Sequence, residues 1–142
     1  MSNQNFLFIM RGHPGSGKST WIVQHFPGEA VCSADKYFYN DKGEYHFDSS
    51  RLKEAHNWCK IKAETLVKIQ VPIVIIDNTN IKLWEYQPYL NMAKEYGYKP
   101  LQIVMSGEYQ NIHNVPDEIV ERMKRQFEDD FDIPLFDEKE LS

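Results

Sequence analysis

Cysteine is scarce: Cys32 and Cys59 are the two in 142 residues. Their spacing makes neither a metal knuckle nor a disulfide framework. Cys32 falls in an expected strand and Cys59 on an expected helix, so both are expected in the core of a protein kept reduced. Long apolar runs are missing as well. None approaches the ~20 residues of a membrane span, and the polar start Met1-Ser2-Asn3-Gln4-Asn5 lacks the layout of a signal peptide. Cytoplasmic residence, with no membrane partner, is the expectation. Basic residues are outnumbered by acidic ones, for a net charge of −5. That balance argues against broad adhesion to nucleic acid and leaves room for a local basic groove. Much of the excess acid lies in Glu128-Asp129-Asp130 and Asp137-Glu138-Lys139-Glu140, expected to be solvated surface. Repeats and low-complexity stretches are absent too, and the length suits one domain with one core.

What is present begins with Gly12-His13-Pro14-Gly15-Ser16-Gly17-Lys18-Ser19. The apolar run Phe6–Met10 precedes it, and Thr20-Trp21-Ile22-Val23 follows. This is the G-x-x-x-x-G-K-[ST] pattern in its strand-then-helix setting. Glycines let successive N–H groups converge on a phosphate chain, and the helix adds its positive end. The predicted nucleotide-binding residues are Gly12, His13, Pro14, Gly15, Ser16, Gly17, Lys18, Ser19 and Thr20. Lys18 is expected on the β- and γ-phosphates and Ser19 on Mg²⁺. The chain is therefore expected to bind ATP or another nucleoside triphosphate with Mg²⁺.

The remaining pattern alternates strands with helices. Strands are expected at Phe6–Met10, Ala30–Ser33, Ile73–Ile76 and Leu101–Met105. Helices are expected from Lys18 to about Phe26, Ser49 to Gln70, Trp84 to Tyr96, and Pro116 to about Glu128. The second carries Leu52, Ala55, Cys59, Ala63, Leu66 and Ile69 at helical spacing, capped by Asp48 or Ser49. In the third, Pro88 is expected near the first turn and Gly97 at the stop. The last should turn Val120, Met123 and Phe127 inward. Tyr39–Tyr45 carries a turn signal for a surface excursion or a small hairpin. The predicted fold is α/β of the P-loop NTPase type, three layers with a parallel sheet of about four strands flanked by helices. One P-loop domain is expected over 1–131, with 106–128 as lid and last helix, and a loosely ordered tail over 132–142.

Candidate site residues lie where such a sheet gathers ligands, past the carboxyl ends of its strands. Asp77 closes an apolar run and is either a Mg²⁺ ligand beside Ser19 or a turn-capping aspartate. Asp35, past the second strand, is either a general base for an acceptor hydroxyl or a helix cap. Arg122 and Arg125 share a face of the last helix and are either lid arginines for the transferring phosphoryl group or part of a solvated surface. Arg11 and Lys36 flank the site within reach of phosphate. The aromatics Tyr37-Phe38-Tyr39 and Tyr45-His46-Phe47 either stack a base or fill core.

Taken together, these segments resemble the polynucleotide-kinase-like branch of P-loop kinases. That branch includes 5′-hydroxyl polynucleotide kinases and, more distantly, zeta-toxin kinases; the kinase domain of Nedd-four-binding protein two and its short relatives share the pattern. The segments are Arg11–Thr20, Ser33–Phe38, Gly43–Phe47, Glu54–Cys59, Ile75–Asn80 and Asn111-Ile112-His113-Asn114-Val115-Pro116. The resemblance implies that Asp35 is the general base and that Asp77 and Asn78 border the acceptor or metal site. It also implies that His56 faces the same cleft, with Lys36 on the acceptor side. The implied activity is Mg²⁺-dependent transfer of the γ-phosphoryl group of ATP to the 5′-hydroxyl of DNA or RNA. A nucleoside, nucleotide or nucleotide-sugar acceptor is the alternative, and a weakly catalytic ATP-binding module the third reading. The sequence departs from the family near the lid. Ser106-Gly107-Glu108-Tyr109 is a short connection, Gln110 stands where relatives carry arginine, and Gln126 stands beside Arg125 where another is common. These departures bear on transfer rate rather than on nucleotide binding.

Overall fold

Four parallel strands form one sheet in the order β2-β3-β1-β4. The computed structural model describes residues 4–105, 117–130 and 132–136. In chain order the elements are β1 (Asn5–Arg11), α1 (Lys18–His25), β2 (Ala30–Cys32), α2 (Leu52–Lys68), β3 (Ile73–Asp77), α3 (Leu83–Tyr96), β4 (Tyr98–Val104) and α4 (Asp117–Gln126). Short 3-10 turns occupy Ala34–Phe38 and Ser49–Arg51. No helix among the described residues is long and apolar enough to cross a membrane.

The period of two in the central strands sorts the core into two faces. Leu7, Ile9, Val74 and Ile76 pack beneath α2 and α3, while Phe8, Met10, Ile75, Leu101 and Ile103 pack with Ile22 and Phe26 of the α1 side. This makes the three layers expected. α2 buries Ala55, Cys59, Ala63 and Val67, a narrower stripe than predicted, because its small residues bring the backbone close to the sheet. Leu52 and Ile69, expected inside, are exposed. Pro88 lies inside α3 rather than in its first turn. Its missing N–H leaves the Trp84 carbonyl, one turn earlier, without the usual helical donor. Gly97 ends that helix at φ 79° and returns its N–H to Ala93, the left-handed stop that glycine permits. Both cysteines are buried thiols.

The expected hairpin is present as an antiparallel bridge between Tyr39 and Tyr45. The stretch expected to be a loose tail is structured where it is described. The amide of Gln102 donates to the Pro134 carbonyl and Phe136 donates back to Gln102, both at 2.9 Å. Buried Ile133 and the Phe136 ring fasten the segment to opposite faces of the sheet. These apolar side chains, spaced within an acidic tail, escape a reading based on composition. Residues 137–142, and the lid connection 106–116 with its Gln110 and Asn-x-His segment, lie outside the described residues.

Candidate active site

The register of β1 on β3 sets Met10 beside Asp77, so the loop after β1 and the turn after β3 open at the same edge. Gly12 donates its N–H to the Thr79 carbonyl at 2.9 Å. A Cβ on Gly12 would stand 2.4 Å from the Met105 carbonyl oxygen and 2.8 Å from Ser16 Oγ. No side chain fits there, because the nearest atom is backbone. Gly12→Ala should therefore lower stability by about 1–3 kcal/mol and weaken nucleotide binding, measurable by thermal melts with and without ATP. An unchanged melt and ATP response would refute that close approach.

Gly17 caps α1 at φ 96° without a side-chain cap bond, leaving the helix's first amides free for an anion. Ser16 Oγ is buried without a hydrogen-bond partner, so the loop holds a spare donor as well. Lys18 Nζ donates to the carbonyls of Gly12 at 2.7 Å and His13 at 3.1 Å. Burial holds its pKa below the ordinary lysine value, and the charges of Asp77 and Asp35 oppose that shift. His13 is buried with Nδ1 at 2.9 Å from the Pro14 carbonyl, which makes it a packed loop residue. Thr20 is exposed in the first turn of α1.

Ser19 Oγ donates to Asp77 Oδ2 at 3.2 Å. Desolvation raises the Asp77 pKa, against the pull of Lys18 and Ser19. A hydroxyl and a partly buried carboxylate converging at the mouth of a phosphate loop suit a hard cation shared with phosphate oxygens.

Asp35 is exposed in the 3-10 turn after β2, whose N-cap is Ser33. Its charge acts on Lys18, Asp77 and His56, and the Tyr45 side chain hydrogen-bonds to it. Burial, chiefly, and Asp35 push the Tyr45 phenol up to about 12. Lys36 beside it is exposed. His56 on α2 is solvent-facing; partial desolvation lowers its pKa, opposed by Glu85 and Asp35. Asn78 accepts from the Ala34 amide at 2.9 Å and points its Nδ2 at Cys59 Sγ, 3.6 Å away. Its side chain thus ties the turn carrying Asp35 to the end of β3.

Arg11 behaves differently from the expectation that it reaches phosphate. It is fully buried, with guanidinium bonds to the carbonyls of Asn80, Ile81 and Glu128 and to Gln102 Oε1. Strand alternation turns it away from the loop mouth. Asn80 carries a role that spacing does not reveal: it adopts φ 47°, and its Nδ2 donates to Met10 O at 2.8 Å. An asparagine that closes Asn78-Thr79-Asn80 is the available signal, since asparagine tolerates left-handed backbone. Arg122 and Arg125 stand exposed on α4, and no hydrogen bond or ion pair among the described residues joins them to the loop.

The model of a family described as an AAA domain, AAA_33, matches residues 7–129. The chain belongs to this family. Human NEDD4-binding protein 2 is 33% identical over 141 residues, covering 91% of this chain and 8% of that protein. This chain thus spans a small fraction of that relative's length. An uncharacterized protein of Pasteurella multocida, PM0531, is 24% identical over 131 residues, covering 82% of this chain and 73% of that one. Among solved structures, the Pnkp1/Rnl/Hen1 complex aligns with a TM-score of 0.58 at 22% identity, covering 86% of this chain and 40% of that chain. The Mycobacterium tuberculosis APS kinase CysC, as a Cys556Ala mutant, aligns at 0.52 and 14% identity, covering 88% and 98%. At such identities the two structures show the fold alone. This AAA_33 domain is a P-loop kinase-like α/β unit, as its motifs imply.

Proposed function

We propose that this domain transfers the γ-phosphoryl group of ATP to a hydroxyl, the 5′-hydroxyl of a DNA or RNA end. The observation that carries the reading is the sharing of one mouth by two chemistries. Lys18 and the loop amides suit the donor's phosphates, while Asp35, exposed in the turn after β2, is near enough for its charge to act on Lys18 and Asp77. A hydrolase must position a water and a kinase must activate an acceptor hydroxyl, and a carboxylate as exposed as Asp35 is open to an acceptor larger than water.

In this reading the loop from Gly12 to Thr20 orients the triphosphate, and Lys18 exchanges its loop carbonyls for phosphate oxygens. Ser19 and Asp77 would hold Mg²⁺, which would supply charge neutralisation at the phosphate oxygens. Asp35, its carboxylate held by Tyr45, takes the acceptor's proton as the acceptor's oxygen attacks the γ-phosphorus, the bond to the bridging oxygen breaks and ADP leaves. Asn78 maintains the turn that presents Asp35, and Lys36 and His56 line the acceptor side. Arg122 or Arg125 supplies the positive charge that relatives draw from a longer lid. The resemblance of Ser33–Phe38, Glu54–Cys59 and Ile75–Asn80 to 5′-hydroxyl polynucleotide kinases supports a polynucleotide acceptor.

The test is transfer of label from γ-labelled ATP to a 5′-hydroxyl oligonucleotide in the presence of Mg²⁺, with a 5′-phosphorylated oligonucleotide as control. Label on the first and not the second is expected. Label on free nucleosides or nucleotides only would replace the polynucleotide with a small acceptor, and hydrolysis without transfer would overturn the kinase reading.

A further inference from the structure

Asp35 has a neighbour on the hairpin that follows it, and that neighbour opens a row of rings. Tyr45 hydrogen-bonds to Asp35 and bridges across the hairpin to Tyr39, with ring centroids 5.1 Å apart. Two residues further along, Phe47 lies nearly parallel to Tyr45 at 6.4 Å and 17°. The two ends of this row face solvent: Tyr39 is 44% and Phe47 52% exposed. Phe38 backs it from beneath, buried and 5.1 Å from Phe47. The hairpin is braced. Asn40 Oδ1 accepts from the amides of Lys42 and Glu44, and His46 donates to the Phe38 carbonyl at 2.8 Å.

Tyr45 and Phe47 both meet Phe38 edge-on, at 6.3 and 5.1 Å, but a ring needed only to pin the hairpin would be covered. Holding Phe47 half in water on a braced hairpin, continuous with the proposed base, is the arrangement of a stacking platform. Planar nucleobases are the ligand it suits, because every base offers a π-face and needs no hydrogen-bond reader. Lys36, exposed next to Asp35, adds a positive charge where the sugar-phosphate of such an acceptor would pass.

We propose that the Tyr39–Tyr45–Phe47 row is the acceptor's base-binding site, stacking the base or bases nearest the hydroxyl presented to Asp35. This names the substrate class as base-bearing and sequence-tolerant, and it rests on the kinase reading above.

The test combines a protein change with an acceptor change. Phe47→Ala and Phe47→Trp are compared on a 5′-hydroxyl oligonucleotide and on one whose first two nucleotides are abasic. Both direct binding, by fluorescence anisotropy, and transfer are measured. Phe47→Ala should weaken binding of the intact oligonucleotide by roughly tenfold and raise its KM similarly, leaving the KM for ATP unchanged, while Phe47→Trp retains wild-type binding. The abasic oligonucleotide should already be weakened in wild type and lose little more in Phe47→Ala. Equal binding of intact and abasic oligonucleotides by wild type, or equal losses for both on Phe47→Ala, would overturn the platform. Base-dependent binding without transfer to any hydroxyl would uphold the platform and overturn the kinase reading instead.

Discussion

Replacing Asp35 with asparagine should lower kcat for phosphoryl transfer by roughly 10²–10⁴-fold, the range expected for loss of a general base. The substitution keeps the side chain's size, and its amide oxygen still accepts from Tyr45, so the turn from Ala34 to Phe38 should stand. Asn78 would still hold the Ala34 amide. What disappears is the ability to take a proton. ATP affinity should change little, because the loop from Gly12 to Ser19 and the Ser19–Asp77 pair are untouched. The electrostatic consequence runs in a defined direction. Asp35 supports the protonated form of Lys18 against burial, so its neutralisation pushes Lys18 further below the ordinary lysine value rather than above it. Single-turnover transfer with saturating ATP, together with equilibrium ATP binding, separates these effects. Transfer within threefold of wild type would remove Asp35 from the role. A loss of ATP affinity equal to the loss of rate would make it part of the donor site.

Asp35 also shows how the sequence and the structure divide the evidence. The position of the phosphate loop is legible because its function forces a local pattern: glycines, then Lys-Ser, between an apolar strand and a helix. The strands are equally legible because burial on both faces leaves continuous β-branched runs such as Ile73–Ile76. Asp35 is not legible locally. Spacing alone leaves it balanced between base and cap, and in the structure Ser33 holds the N-cap position while Tyr45, ten residues away, bonds the Asp35 carboxylate. The narrowed stripe of α2 has a similar origin. Helical periodicity is blind to which of several apolar residues meets the sheet, and Leu52 and Ile69 at the two ends run past it. Ile133 and Phe136 escape notice because a strand-like extension only two or three residues long has no period to detect. Arg11 is the sharpest case: its place in the sequence, next to the loop, points to phosphate, and its place in the strand points into the protein.

Arg11→Ala should therefore destabilise the fold itself, by about 3–5 kcal/mol, the cost typical of breaking a buried charged network from one side. The guanidinium reaches the Asn80 carbonyl at 2.8 Å, the Ile81 carbonyl at 2.9 Å, Gln102 Oε1 at 3.1 Å and the Glu128 carbonyl. It lies between the rings of Tyr86 at 4.5 Å and Phe127 at 4.3 Å. Burial lowers its pKa, and Tyr86, Asp130, Asp129 and Glu128 sustain the charge against that cost. These partners come from four places: the turn after β3, the middle of β4, α3, and the chain leaving α4. One planar fork thus joins β1 to everything that closes this end of the sheet, and truncation leaves the acceptors buried without donors. Lysine offers one ammonium where the acceptors need a fork, so Arg11→Lys should recover only a minor part of the loss. At 2–4 °C per kcal/mol, the scale for domains somewhat larger than this one, the melting temperature should fall by roughly 10 °C. The comparison that decides between the inward role and the phosphate role is the melt without nucleotide. An arginine that serves phosphate would leave that melt unchanged and abolish the added stability from ATP. An arginine that serves the fold lowers the nucleotide-free melt first, and ATP binding weakens only because Asn80 and Thr79, which hold Met10 and Gly12, lose their anchor.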